Sequence, residues 1–235
     1  MFRHEPTPED LAPDIRDIWR RHAASAGAHG DVDDAGGALV AAYAEPHRHY
    51  HDLTHLRAVL ANVATLAPYA RDVHAVVLSA CCHDVVYDPR AADNEERSAE
   101  WATTTLRGLG VDDGVTARVA DLVRMTTDHA PPSGDTDGQV LCDADLAVLA
   151  AEPAAYAAYV AGVRREYAHV DDLRFARGRA VVLTSLLDKP HLYGTAYGRR
   201  VWEEAARRNI AEEVERLQRL SGASDAATPT PAAGG

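Results

Sequence analysis

Six side chains in three short stretches have the types and spacing to do chemistry together. His51 and His55 are four residues apart, one helical turn, and so share a helix face. Such a pair can share a metal ion, or one ring can bind while the other moves protons. His83-Asp84 closes the run AVVLSACCHD, and Asp143 and Asp145 lie in the apolar segment CDADL. Singly, each has an ordinary explanation: H-x-x-x-H recurs by chance, and acids near a helix start favour its dipole. Together they supply the mixed nitrogen and oxygen donors that divalent first-row metals accept.

The AVVLSACCHD run sharpens this. A helix apolar on every side is buried, and an imidazole and a carboxylate there are costly unless something holds both. Adjacent helical residues diverge by about 100°. His83 and Asp84 can therefore grip one ion only at the end of the helix, where the loop-like YDPR begins. Ser79 and Ala80, one turn earlier, leave room beside the His83 ring.

The elements that must position these residues read as helices throughout. One starts at Thr7-Pro8, another covers 35–44, and the histidine-rich loop His47-Arg48-His49-Tyr50-His51 follows. A third starts near Asp52 with the stripe Leu56, Val59, Leu60, Val63 and Leu66. After AVVLSACCHD, helices begin at the acidic DNEER and at Asp112-Asp113, the latter running out at Thr126–His129. The stretch 130–138 reads as a loop, and further helices begin near Leu141, at Pro153 and at Asp171-Asp172. A last one spans 197–220, and the Ser/Ala/Pro/Gly-rich 221–235 reads as a disordered tail. With no repeat and no clear strand, the expectation is an all-α, single-domain helical bundle over 1–220.

Composition limits the partners. The 235 residues carry a formal net charge of −12, which disfavours binding to a nucleic-acid polymer. A small phosphorylated substrate meeting a local cationic pocket remains compatible. No apolar run is long enough for a membrane span, and MFRHEPTPED lacks a signal-peptide core. The three cysteines, two of them adjacent, make no disulfide framework; reduced thiols and a cytoplasmic location are expected. The charged last helix could pack within the domain or against a second copy as a homodimer.

The order H-x3-H, then HD, then an Ala-Asp-Leu helix resembles the HD-domain superfamily of metal-dependent phosphohydrolases. The stretches EPHRHYHDLTHL, HDVVYDP with DNEERSAE, CDADLAVL and RRNIAEEVERL carry the resemblance. It covers roughly Glu45 to Leu217 and is nearest to a bacterial subgroup of unassigned substrate. It implies an HD-type fold, with His55, His83, Asp84 and Asp145 as metal ligands; Asp143 would support them or cap the helix. It implies His51 as proton donor to the leaving oxygen; Asp84, with a second oxygen free of the metal, could take the water's proton. A small phosphoester, in particular a nucleotide, is the implied substrate. Many relatives hold a second metal with two further histidines. Here the first of those places has Asn94-Glu95, and His129 could serve as the second or as a proton donor. One divalent ion (Mn, Fe, Co, Ni or Zn) is the expectation.

Arg97, Arg48 and Lys189 are candidates for phosphate contact, with Arg90 behind them. Glu95 could orient a ligand or simply favour its helix start. His4, His22, His29, His74 and His169 read as surface positions. Two other functions stay open: a diiron oxygenase on the same scaffold, which needs more histidines, and a non-catalytic regulatory module that keeps the metal site.

Overall fold

The computed structural model describes residues 8–226. These form eleven α-helices and two 3₁₀ turns, with no strand among the described residues. In chain order they are α1 (Pro8–Ser25), α2 (Val32–Tyr43), α3 (Leu53–Leu66), α4 (Val73–Cys82), α5 (Asn94–Gly108) and α6 (Asp113–Met125). Then follow α7 (Thr136–Leu146), α8 (Pro153–Glu166), α9 (Asp172–Leu187), α10 (Ala196–Val201) and α11 (Glu203–Ala226). Side chains set the starts. Asp31, Asp52, Asp72, Asp112, Asp135, Asp171 and Thr195 each accept a first-turn backbone N–H, contributing about 1 kcal/mol apiece. Part of the acidic balance is thus helix punctuation.

Helix α4 is the axis. Every residue from Ala75 to Cys82 is buried, and α1, α3, α5, α6 and α7 pack around it. The expectation of a helix apolar on all sides is met, and His83 forms its C-cap. Cys81, Cys82 and Cys142 are free and buried; burial pushes the Cys81 thiol up to about 12. A second apolar cluster joins Leu149, Tyr156, Leu183, Tyr193 and Ile210, from the turn after α7 through α11. Trp202 is packed against both clusters. The apolar face of α11 (Ala206, Ile210, Val214, Leu217) is buried by its own chain, against α9 and the turn at Ala147–Ala150.

Helix α2 starts three residues earlier than expected, at Val32, and two further helices differ more. Helix α7 starts at Thr136, not near Leu141, because Asp135 caps it and Gly138 lets it approach Met125: a Cβ at Gly138 would lie 2.5 Å from Met125 Sδ. The last helix is broken at Trp202 into α10 and α11, and it continues past 220 through Ala226. That helix overlaps the tail expected over 221–235; 227–235, His4 and Thr7 lie outside the described residues. No single helix among them is long and apolar enough to cross a membrane, and the apolar pair Thr136–Ala150 and Pro153–Glu166 meets at 106°.

Candidate metal centre

Three segments distant in sequence converge at the end of α4. His55 comes from the first turn of α3, where Asp52 accepts its backbone N–H. His83 and Asp84 follow the last turn of α4, and Asp145 comes from the end of α7. His55 Nε2 and His83 Nε2 are 3.2 Å apart. Asp145 Oδ1 is 3.3 Å from the first and 3.6 Å from the second. Asp84 Oδ2 is 3.5 Å from His55 Nε2 and 3.1 Å from His83 Nε2. Donor atoms about 2.1 Å from one ion lie about 3.0–3.4 Å from one another in octahedral or tetrahedral arrangements. The group His55, His83 and Asp145 could hold a metal ion, and Asp84 lies beside its two imidazole nitrogens.

The chemistry of the donors fits a cation. His83 Nδ1–H donates to the Ala80 carbonyl at 2.8 Å, so in the neutral ring Nε2 carries a bare lone pair facing the cluster. This is how backbone carbonyls orient metal-binding imidazoles. Burial lowers the affinity of both rings for a proton, but hydrogen bonds to Asp145 and Asp84 raise His55, and the charges of Asp84 and Asp145 raise His83 well above its ordinary value. Burial alone would raise both carboxyls. Instead, the charges of His83 and His51 hold Asp84 well below the carboxylate range, and His83 with hydrogen bonds from His129 and His55 does the same for Asp145.

His129 follows α6 with φ 49°, a left-handed conformation uncommon for a residue with a Cβ. Its Nε2–H donates to Asp145 Oδ2 at 2.8 Å, leaving Oδ1 toward the cluster. Lys189 Nζ donates to the carbonyls of Asp128 and His129, both at 3.1 Å, which holds that turn in place.

His51 is held by a residue the sequence did not single out. Glu166, the last residue of α8, is buried and accepts five hydrogen bonds. Oε1 takes the backbone N–H groups of His49, Tyr50 and His51 at 2.8, 2.8 and 2.9 Å. Oε2 takes His51 Nδ1–H at 2.8 Å and the Tyr87 hydroxyl at 2.9 Å. Burial raises this carboxyl, but the His51 ring and the backbone donors outweigh it and hold it at about 2. The proton on His51 is thereby fixed at Nδ1, and Nε2 is left for other work. Gly162, one turn before Glu166, makes the approach possible: a Cβ there would lie 2.7 Å from the His49 carbonyl oxygen. The signal available in sequence was only a glycine and an acid at helical spacing.

The expected phosphate contacts fare differently. Arg48 is a correction: its guanidinium is buried and donates to the carbonyls of His51 (3.0 Å), Asp84 (2.7 Å) and Val85 (3.0 Å), with Nε on Glu45. It ties the histidine loop to the HD turn and offers nothing to a ligand. Arg97 is exposed and is not among the residues lining the cavity described below. Asn94 holds the 88–94 loop through the Asp88 backbone. Asp143 accepts from the Gly194 and Thr195 backbone and the Thr195 hydroxyl; it anchors a loop.

A cavity of about 450 Å³ opens beside the cluster, with His51, His129 and Asp145 in its wall and Arg174 and Arg179, on α9, as its cations. A second, of about 770 Å³, shares Tyr50, Asp145 and Tyr159 with it and reaches His55. The chain matches no family model, no curated protein and no solved structure in the comparisons made.

Proposed function

We propose that this chain is an HD-type, metal-dependent phosphohydrolase acting on a small phosphoester. The observation that carries the reading is a pair of imidazole nitrogens 3.2 Å apart, each with a carboxylate oxygen of Asp84 and of Asp145 at 3.1–3.6 Å, next to a cavity that a separately oriented histidine also lines. A site that only bound metal would have no use for the Glu166–His51 pair.

His55, His83, Asp84 and Asp145 would hold the ion. Bound there, a divalent ion supplies Lewis acidity toward a phosphoryl oxygen and toward water. The residues supply the rest. Asp84 has one oxygen turned to the histidines and a second free to take the proton of the attacking water. As the water oxygen forms its bond to phosphorus, the ester P–O bond breaks, and protonated His51 gives its Nε2 proton to the departing alkoxide. Glu166 fixes the ring for that transfer. His129 keeps Asp145 aimed at the cluster. Phosphoryl transfer of this kind is mainly positioning and electrostatics. The donor set suits Mn, Fe, Co, Ni or Zn.

The test is a panel of phosphomonoesters and diesters assayed with each metal, with Asp84→Ala as control. Phosphate release that requires metal and is lost in the variant supports the reading. No release from any ester by protein with bound metal overturns it.

A further inference from the structure

The walls of the cavity beside the cluster say what kind of ester it takes. His51, His129 and Asp145 form one end of it, and the other polar side chains in its wall are Tyr50, Tyr159, Tyr167, Arg174 and Arg179. Away from that end the surface is aliphatic and aromatic, with Leu149, Val163, Val170, Phe175, Tyr159 and Tyr167 as the main contributors. No Ser, Thr, Asn or Gln is among the described residues that line it, and Asp145 is the one carboxylate, already turned to the histidines. Arg179 is engaged as well: Nε donates to Glu213 at 3.0 Å and Nη2 to the Tyr159 hydroxyl at 2.6 Å. Arg174 is largely exposed and marks the opening. A nucleobase or sugar seated here would find few donors and acceptors for its amino, carbonyl and hydroxyl groups, and buried polar groups left unpaired weaken binding. An apolar body gains from every contact with these walls.

From these walls we infer that the substrate is a phosphoester of an apolar alcohol, aryl or short-chain alkyl, whose body fills this cavity while its phosphate meets the cluster. The inference rests on the phosphohydrolase reading for the chemistry, and on the cavity wall alone for the class of alcohol. Gly178 offers a way to test the wall. It lies on α9 facing the cavity, and a Cβ there meets nothing within 4 Å. A larger side chain would therefore enter open space and leave the packing intact.

The experiment has a catalytic and a binding arm, both on the full chain with metal. In the first, kcat/KM is measured for ethyl, butyl and hexyl phosphate, 1-naphthyl phosphate and adenosine monophosphate. Each added methylene is expected to raise kcat/KM about fourfold until the cavity is full, and the naphthyl ester to exceed the nucleotide at least tenfold. In the second, calorimetry compares naphthylmethylphosphonate, which is not hydrolysed, with adenosine monophosphate. Gly178→Leu is expected to weaken the phosphonate at least tenfold, with circular dichroism unchanged. Turnover that favours the nucleotide, or is flat with chain length, overturns the inference and leaves the phosphohydrolase reading standing. No turnover of any ester, with tight phosphonate binding that Gly178→Leu abolishes, does the reverse. Phosphonate binding that is no tighter than the nucleotide's, or indifferent to Gly178→Leu, overturns the inference in either case.

Discussion

His55 Nε2 and His83 Nε2 face each other at 3.2 Å inside the protein. Both rings are buried, and His83 is locked by the Ala80 carbonyl with its lone pair toward His55. Two imidazoles so aimed, with carboxylates beside them, could hold a cation between them. At a hundredfold excess of metal over its Kd, binding should stabilise the fold by about 2.7 kcal/mol, or roughly 5–10 °C in Tm for a chain of this size. His83→Ala should abolish both the metal content after dialysis and the metal-dependent rise in Tm. A rise that survives in the variant would place the ion elsewhere.

The Glu166–His51 contact makes a pH-dependent prediction. The Glu166 carboxyl sits at about 2 in the folded chain against an ordinary value of 4.5, so its stabilisation is present in full above pH 4.5. It fades as pH falls through 2. Glu166→Gln should therefore cost on the order of 3 kcal/mol at neutral pH, with the gap from wild type closing toward pH 2. Urea denaturation of both proteins across this range checks it. A gap independent of pH would show that packing, not ionisation, is what Glu166 provides.

Gly162 is where α8 touches the histidine loop. Its replacement by alanine puts a methyl group 2.7 Å from the His49 carbonyl oxygen and 3.0 Å from Tyr50 Cβ. Gly162→Ala should destabilise by about 1–3 kcal/mol, and should lower kcat more than it raises KM, because Glu166 loses its reach to His51. A variant with wild-type stability and turnover would mean that the loop yields freely.

Arg48 should behave as a buried structural cation. Arg48→Met removes donors to three carbonyls and should cost about 3–5 kcal/mol. Metal affinity should fall with it, since two of those carbonyls belong to His51 and Asp84. If the variant instead keeps its Tm and only KM for the phosphoester rises, Arg48 contacts substrate after all.

Much of this was legible in the chain. The all-helical class follows from composition and spacing, and the buried character of α4 from an apolar run without a polar face. Aspartates cap six of the helix starts, and His83 and Asp145 carry donor chemistry in otherwise apolar segments, with His55 one turn from His51. What could not be read was any property set by two segments meeting. Gly162 and Glu166 look like an ordinary helical glycine and a helix-end acid until α8 lies against the His49–His51 backbone. Arg48 looks like a loop cation until the HD turn closes over it. The break at Trp202 arises because that side chain packs against both apolar clusters, a constraint absent from the helical periodicity around it. Side-chain type and local spacing determine which groups are available. Which of them face one another depends on how helices pack across long sequence separations, and there the tertiary structure alone decided.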